Sequence, residues 1–196
     1  MATLSSWYAY EKEEAFIQYL FKKVRLPSEG LVVEIGGGAG IHGQILAKEF
    51  GTRYLFTDLS KNFVDSATKS GLPAMQMDGL AMTLADASAA CVVLVATSTL
   101  LYGAETRHRQ CRECIRILGE NGVAIFVTAR RDARYHFWDC DDVDCLRQLG
   151  FAITWLNWGI IPGRLWTSSN RAFFAVVESM ISRTNLPARS ILLARR

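Results

Sequence analysis

The sequence predicts an open α/β sheet, mostly parallel, with helices on both faces. Three observations predict it. Short apolar runs alternate with segments of helical periodicity along nearly the whole chain. No linker, internal repeat or low-complexity tract breaks that alternation. The first apolar run, ending Val32-Val33-Glu34-Ile35, leads straight into glycines at 36, 37, 38 and 40. Strands that alternate with helices build parallel sheets, because each helix carries the chain back across the sheet before the next strand begins.

The elements follow in order. Residues 7–24 place Phe16, Tyr19, Leu20 and Val24 at helical spacing behind the charged run Glu11-Lys12-Glu13-Glu14, and Pro27 and Gly30 end that helix. The first strand covers 31–35 and its helix 41–50, with Gly51 as the C-terminal stop. A second strand, 54–57, closes on Asp58, and a short helix over 62–70 is followed by Gly71. A third strand, 74–77, closes on Asp78. Residues 91–96 form a continuous valine-rich run that suits a strand buried on both faces. Residues 105–118 have helical spacing, 119–122 form a turn, and 123–128 are the fifth strand. A helix over 143–149 ends at Gly150. Residues 151–158 and 189–194 are the last two strands, separated by a longer excursion over 159–187.

The 196 residues suit one domain with a single substantial core. With 22 basic and 19 acidic side chains the net charge is +3, too little to argue for a nucleic-acid or membrane surface. No apolar run reaches the ~20 residues that cross a bilayer, and residues 1–14 lack the basic flank and apolar block of a secretory signal. Five cysteines, an odd count, fit reduced thiols in a cytoplasm. Cys111 and Cys114 share one helix face, and Cys140 and Cys145 stand outside the spacing of a zinc knuckle, so buried packing is the favoured account and no metal is expected.

The glycine turn carries the functional argument. A strand that enters a nearly side-chain-free turn and leaves it as a helix allows a ligand close to the main chain, with the helix's unpaired N–H groups aimed at it. A dinucleotide pattern, Gly-x-Gly-x-x-Gly, fails from Gly36 because Ile41 occupies its last place; from Gly38 it is met by Gly43, so that reading stays open. The pattern met throughout is Glu34-x-Gly36-x-Gly38-x-Gly40. In open α/β sheets ligands collect at the carboxyl ends of the strands. Asp58 stands about twenty residues beyond the turn, where a carboxylate accepts both hydroxyls of a ribose; its rival role is to cap the next helix together with Ser60. Leu59 would lie against an adenine face. Asp78, before Gly79, would accept the adenine amine, with a plain turn aspartate as the rival. Ala96, Thr97 and Ser98, after the fourth strand, would offer backbone carbonyls to an ammonium group.

With these residues in place the chain resembles the class I S-adenosylmethionine-dependent methyltransferases of the small-molecule type. Phe56-Thr57-Asp58-Leu59-Ser60 is similar to that family's second motif and Met77-Asp78-Gly79 to its third. Residues 91–122, ending Arg116-Ile117-Leu118-Gly119-Glu120-Asn121-Gly122, resemble its strand, helix and Gly-rich turn, and Ser190-Ile191-Leu192-Leu193-Ala194-Arg195-Arg196 its terminal antiparallel strand. The likeness spans about residues 10–196. It implies a Rossmann-like, doubly wound sheet of seven strands, with the antiparallel last strand beside the fifth. It also implies S-adenosylmethionine as cofactor, held by Glu34, Gly36, Gly38, Gly40, Asp58, Leu59, Asp78, Gly79 and Ala96. Two features depart from the family. Ala90-Cys91 replace an aspartate at the start of the fourth strand, and Thr83-Leu84 replace a Leu-Pro pair, which unsettles the loop beside adenine.

A sulfonium methyl is already activated, so the reaction asks mainly for alignment and exclusion of water. A base is needed only where the acceptor must lose a proton. His136, in Arg134-Tyr135-His136-Phe137-Trp138 just past the fifth strand, is the candidate catalytic residue. His42 lies in the first turn of the helix after the glycines, and His108, between Arg107 and Arg109, is expected to be solvated. Aromatic side chains at Trp7, Tyr8, Tyr10, Tyr102, Tyr135, Phe137, Trp138, Trp155, Trp158 and Trp166 point to an aromatic or lipid-like acceptor.

The sequence therefore predicts one methyltransferase domain, 1–196, with a helical lid over 1–30 and a helical excursion over 159–187. It would act in the cytoplasm on a small molecule by in-line displacement, without nucleic acid or a transmembrane segment, and with a homodimer left open. The alternatives are a nicotinamide-dependent oxidoreductase, a partner protein that binds S-adenosylmethionine without turnover, and a methyltransferase acting on nucleic acid or protein.

Overall fold

The computed structural model describes residues 13–20, 24, 29–95, 103–129, 140–159 and 188–195. Among them seven strands form one sheet: β1 (Leu31–Ile35), β2 (Tyr54–Asp58), β3 (Ala74–Gln76), β4 (Ala89–Val95), β5 (Leu118–Ala129), β6 (Ala152–Gly159) and β7 (Ala188–Arg195). Their order across the sheet is β3-β2-β1-β4-β5-β7-β6. Pairs within β3-β2-β1-β4-β5 are parallel, whereas β7 runs antiparallel to both β5 and β6. The expected seven-stranded, mostly parallel sheet with an antiparallel last strand beside the fifth is therefore what forms.

Helices cover both faces: α1 (residues 13–20), α2 (Ile41–Phe50), α3 (Lys61–Lys69), α4 (Ala104–Ile117) and α5 (Cys140–Gln148). The period-2 alternation of the strands sorts the core into two layers. Val32, Tyr54, Phe56, Cys91, Val93 and Ile125 pack with Phe16 and Leu20 of α1, Ile45 and Leu46 of α2, and Val64 of α3. Val33, Ile35, Val92, Leu94 and Phe126 pack on the other face with Cys111, Cys114 and Ile117 of α4 and Leu146 of α5. Phe16 and Leu20 of α1, within the span expected as a lid, are fully buried in the first layer.

One expected boundary moves. Residues 119–122, taken as a turn, are an irregularity inside β5: Ala89 pairs with Leu118, and the next pair is Cys91 with Val123. The extra residues loop out of the ladder, and Asn121 takes a left-handed φ of 64° to let them do so. The remainder of the lid, Trp7, Tyr8 and Tyr10 included, and the excursion over 160–187 lie outside the described residues.

Candidate active site

The register sets the tips of three strands level. Ile35 of β1 pairs with Thr57 of β2, and Asp58 pairs with Gln76 of β3. The chain runs outward from β1 through β2 to β3 and then returns to β4 on the other side of β1. A reversal of this kind opens a crevice above the carboxyl ends of the two diverging strands.

The turn from β1 to α2 lies at that crevice. Gly36, Gly38 and Gly40 have φ of 69°, 54° and 76°, a left-handed backbone that side chains strain. Among the described residues no atom beyond its own chain neighbours stands within 4 Å of where a Gly38 Cβ would be, so none of them covers the outer surface of the turn there. Gly37 has the opposite constraint: a Cβ there would stand 2.2 Å from the Phe56 ring. Gly40 is the N-cap of α2 with no capping side chain, so no side chain covers the helix's first-turn amides from that position.

Strand β2 holds this turn residue by residue. The Thr57 carbonyl accepts the Gly36 and Gly37 amides at 2.9 and 3.1 Å, and its hydroxyl donates to the Glu34 carbonyl at 2.7 Å. Asp58 accepts the Gly38 amide on Oδ2 at 2.9 Å and the Ser60 amide on Oδ1 at 2.8 Å. Each carboxylate oxygen keeps a further lone pair for a ligand hydroxyl. Tyr54 donates its hydroxyl to Glu34 Oε2. Glu34 is 1 % exposed: its carboxylate sits beneath the turn rather than facing the crevice. Burial pushes its pKa up, while the Tyr54 hydrogen bond and the nearby His42 oppose that rise.

Gly43 is explained within the same layer. A Cβ there would stand 2.6 Å from the Tyr54 hydroxyl and 3.2 Å from Glu34 Oε2. The glycine that kept the dinucleotide pattern alive serves this packing.

The third tip is arranged differently. Asp78 is exposed and accepts the Leu80 amide at 2.9 Å, the turn arrangement named as its rival role, with part of its carboxylate still open to solvent. Gly79 has a carbonyl that accepts from Gln110 Nε2 at 2.6 Å, and a Cβ there would stand 2.7 Å from Ile35. Leu59, at the tip of β2, is 65 % exposed. Gln110, Glu113 and Arg116 make one stripe on α4 that holds the loop after β3. Glu113 accepts the Met82 amide at 2.7 Å, and Arg116 donates to the carbonyls of Met82 and Leu84 at 2.8 Å each and to Asp86 at 2.6 Å. This stripe holds the loop in which Thr83-Leu84 stand. Sequence reasoning passed over it, although its spacing of three along a helix was a readable signal.

The histidines separate. His42 Nε2 lies 2.7 Å from Glu13 Oε2, tying α1 to the start of α2. His108, expected to be solvated, is half-buried on α4. His136 and Ala96 lie outside the described residues, as do Thr97, Ser98, Tyr102, Tyr135, Phe137, Trp138 and Trp166. Among the described residues no group of three or more His, Cys, Asp or Glu is placed to hold a metal, and none of the helices is long and apolar enough to cross a membrane.

Known proteins give the arrangement its setting. A family model described as "Methyltransferase domain" matches residues 33–126, the span from β1 into β5. No curated protein matches the chain in sequence. Among solved structures, a SAM-dependent methyltransferase from Archaeoglobus fulgidus superposes with a TM-score of 0.69 at 13 % identity, covering 95 % of this chain and 94 % of that one. A SAM-dependent methyltransferase from Thermotoga maritima, described as a possible histamine N-methyltransferase, gives 0.67 at 17 % identity, covering 96 % and 92 %. Geranyl diphosphate C-methyltransferase from Streptomyces coelicolor A3(2) gives 0.63 at 14 % identity, covering 93 % and 77 %. At these identities the likeness to the solved structures is one of fold.

Proposed function

We propose that this chain, whose residues 33–126 match a methyltransferase-domain model, is a class I S-adenosylmethionine-dependent methyltransferase that transfers a methyl group in-line to a small aromatic or lipid-like acceptor. The observation that carries the reading is the β1–α2 turn: three left-handed glycines, covered at Gly38 by none of the described residues and anchored from behind by Asp58, at the reversal of strand order. S-adenosylmethionine supplies an activated methyl on a cationic sulfur.

The residues have separate tasks. Gly36, Gly38 and Gly40 keep side chains out of the seat, and the amides at the start of α2 face its polar end. Asp58 receives the ribose hydroxyls on the lone pairs that Gly38 and Ser60 leave free. Leu59 covers the adenine. The Asp78–Gly79 turn borders the adenine edge and Ala96 the methionine end. Glu34 acts from beneath. His136 takes the acceptor's proton where the acceptor has one to lose.

Two solved relatives of the fold support the acceptor class, one described as acting on an isoprenoid diphosphate and one as a possible histamine methyltransferase. The small net charge keeps nucleic acid out of the reading. Five cysteines, an odd count, support a cytoplasmic setting. A homodimer stays an open part of the proposal.

Calorimetric titration with S-adenosylmethionine and with NAD tests the cofactor, and transfer of labelled methyl to a panel of phenols, imidazoles and isoprenoids tests the acceptor. Micromolar S-adenosylmethionine binding with labelled product is the expected result. Tight NAD binding with no S-adenosylmethionine signal would overturn the first step, and cofactor binding with no product from any acceptor would favour the non-catalytic partner protein.

A further inference from the structure

Glu34, Tyr54 and Gly43 come from three elements and meet under the cofactor turn. Tyr54 is 1 % exposed, and its hydroxyl crosses from β2 to Glu34 Oε2 on β1. Gly43 of α2 is the residue whose missing Cβ leaves room for both. His42 of α2, itself held by Glu13 of α1, and Asp58 at the end of β2 are the other charged or titratable groups that act on Glu34. A core position of this kind has a cheaper solution. An apolar pair would fill the same volume without removing a carboxylate from water, which is costly unless the charge is used.

Resting on the cofactor reading above, we infer that Tyr54 is a positioning residue: by donating to Glu34 Oε2 its hydroxyl fixes that carboxylate beneath the glycine turn and favours its ionised form against the cost of burial, so that a negative group acts from beneath on the positive charge of the cofactor. Tyr54 touches neither cofactor nor acceptor and acts through Glu34. The ligand class is thereby narrowed to a cationic adenosyl compound, because a negative group in a low-dielectric layer is felt through the turn far more strongly than through water. The amides of the turn and the start of α2 carry partial positive charge toward the same ligand. A carboxylate behind them offsets that field, so the seat accepts a sulfonium.

The test compares S-adenosylmethionine with S-adenosylhomocysteine, which keeps the adenosine and amino acid but lacks the sulfonium charge. Affinities are measured by calorimetry for the unaltered protein, for Tyr54→Phe and for Glu34→Gln. Glu34→Gln keeps an acceptor for the Tyr54 hydroxyl, so it carries the contrast should Tyr54→Phe fail to fold. Both variants are expected to weaken the sulfonium compound about tenfold more than the thioether. A merely structural pair would weaken both ligands alike, and that outcome overturns the inference while leaving the cofactor reading intact. Failure of the unaltered protein to bind either ligand overturns the cofactor reading itself, and this inference with it.

Discussion

Asp58 accepts the backbone amide of Gly38 at 2.9 Å, so the acid at the tip of β2 anchors the turn at the tip of β1. The same carboxylate accepts the Ser60 amide and therefore orients the start of α3 as well. Its position is fixed by protein donors before any ligand arrives, which lowers the ordering cost of binding.

Asp58→Ala removes the proposed ribose acceptors and the Gly38 anchor together. Cofactor affinity should fall by about 2 kcal/mol or more, since two charge-assisted hydrogen bonds to the ligand are lost. Asp58→Asn, which keeps one acceptor oxygen, should fall between. Calorimetric titration checks both, and an unchanged affinity in Asp58→Ala would remove the ribose assignment.

His136→Ala should lower turnover and leave cofactor affinity as it was. It follows β5 directly in the sequence, and the cofactor contacts proposed above do not include it. Parallel measurement of labelled-methyl transfer and cofactor binding separates the two effects. An undiminished rate on acceptors that lose a proton would retire it as the base.

Gly37→Ala should destabilise the fold by about 1–3 kcal/mol through overpacking, because the added methyl meets the Phe56 ring at 2.2 Å. The same substitution in a Phe56→Leu background should cost less, as the smaller side chain gives way. Urea unfolding of the two single variants and the double variant gives the coupling, and strict additivity would contradict the contact.

Gly37 shows what the sequence could and could not reveal. The alternating glycines 36, 38 and 40 match a spacing, and spacing is visible in one dimension. Gly37 matters because of a ring nineteen residues away on the neighbouring strand, and only the register of β1 against β2 brings them together. Tyr54, Thr57 and Gln110 escaped for the same reason: each acts on a backbone or side-chain partner at long sequence separation. The strand boundaries were legible because parallel strands buried on both faces are written as unbroken apolar runs. The bulge in β5 was not, since Gly119-Glu120-Asn121-Gly122 has turn composition whether or not the ladder resumes on both sides. Glu34 was legible as an acid before the glycines, but its inward orientation depends on Tyr54 and Gly43.

The buried cysteines should be inert in the folded protein. Burial pushes the Cys114 thiol up to about 12 and the Cys91 thiol, in the opposite core layer, higher still, and Cys111 is fully buried in the layer of Cys114. The reactive species is the thiolate, so alkylation at pH 8 should leave all three unmodified while the half-buried Cys145 reacts. Peptide mapping by mass spectrometry, with and without denaturant, reads the difference. Rapid native labelling of Cys114 would contradict the packing of α4 on the sheet, and of Cys91 the packing of the opposite layer.

Glu113 and Arg116 make the last prediction, which concerns acid stability. Arg116 donates to Glu113 at 2.5 Å, and that hydrogen bond, with the Met82 amide, holds the Glu113 carboxyl below its ordinary value of 4.5. A carboxyl whose folded pKa is depressed stabilises the fold fully above its unfolded value. That contribution fades as pH falls from about 4.5 through the lower folded value. Glu113→Gln should therefore destabilise at pH 7 and flatten the acid limb of the stability profile, whereas Arg116→Ala should cost about 1–2 kcal/mol at neutral pH by freeing the carbonyls of Met82 and Leu84. Because the loop so held ends beside Gly79, Arg116→Ala should also raise KM for the cofactor more than it lowers kcat. Denaturant unfolding between pH 3 and pH 7, read with steady-state kinetics, checks both statements; an acid limb identical in Glu113→Gln and the unaltered chain would show that the stripe on α4 carries no charge-dependent load.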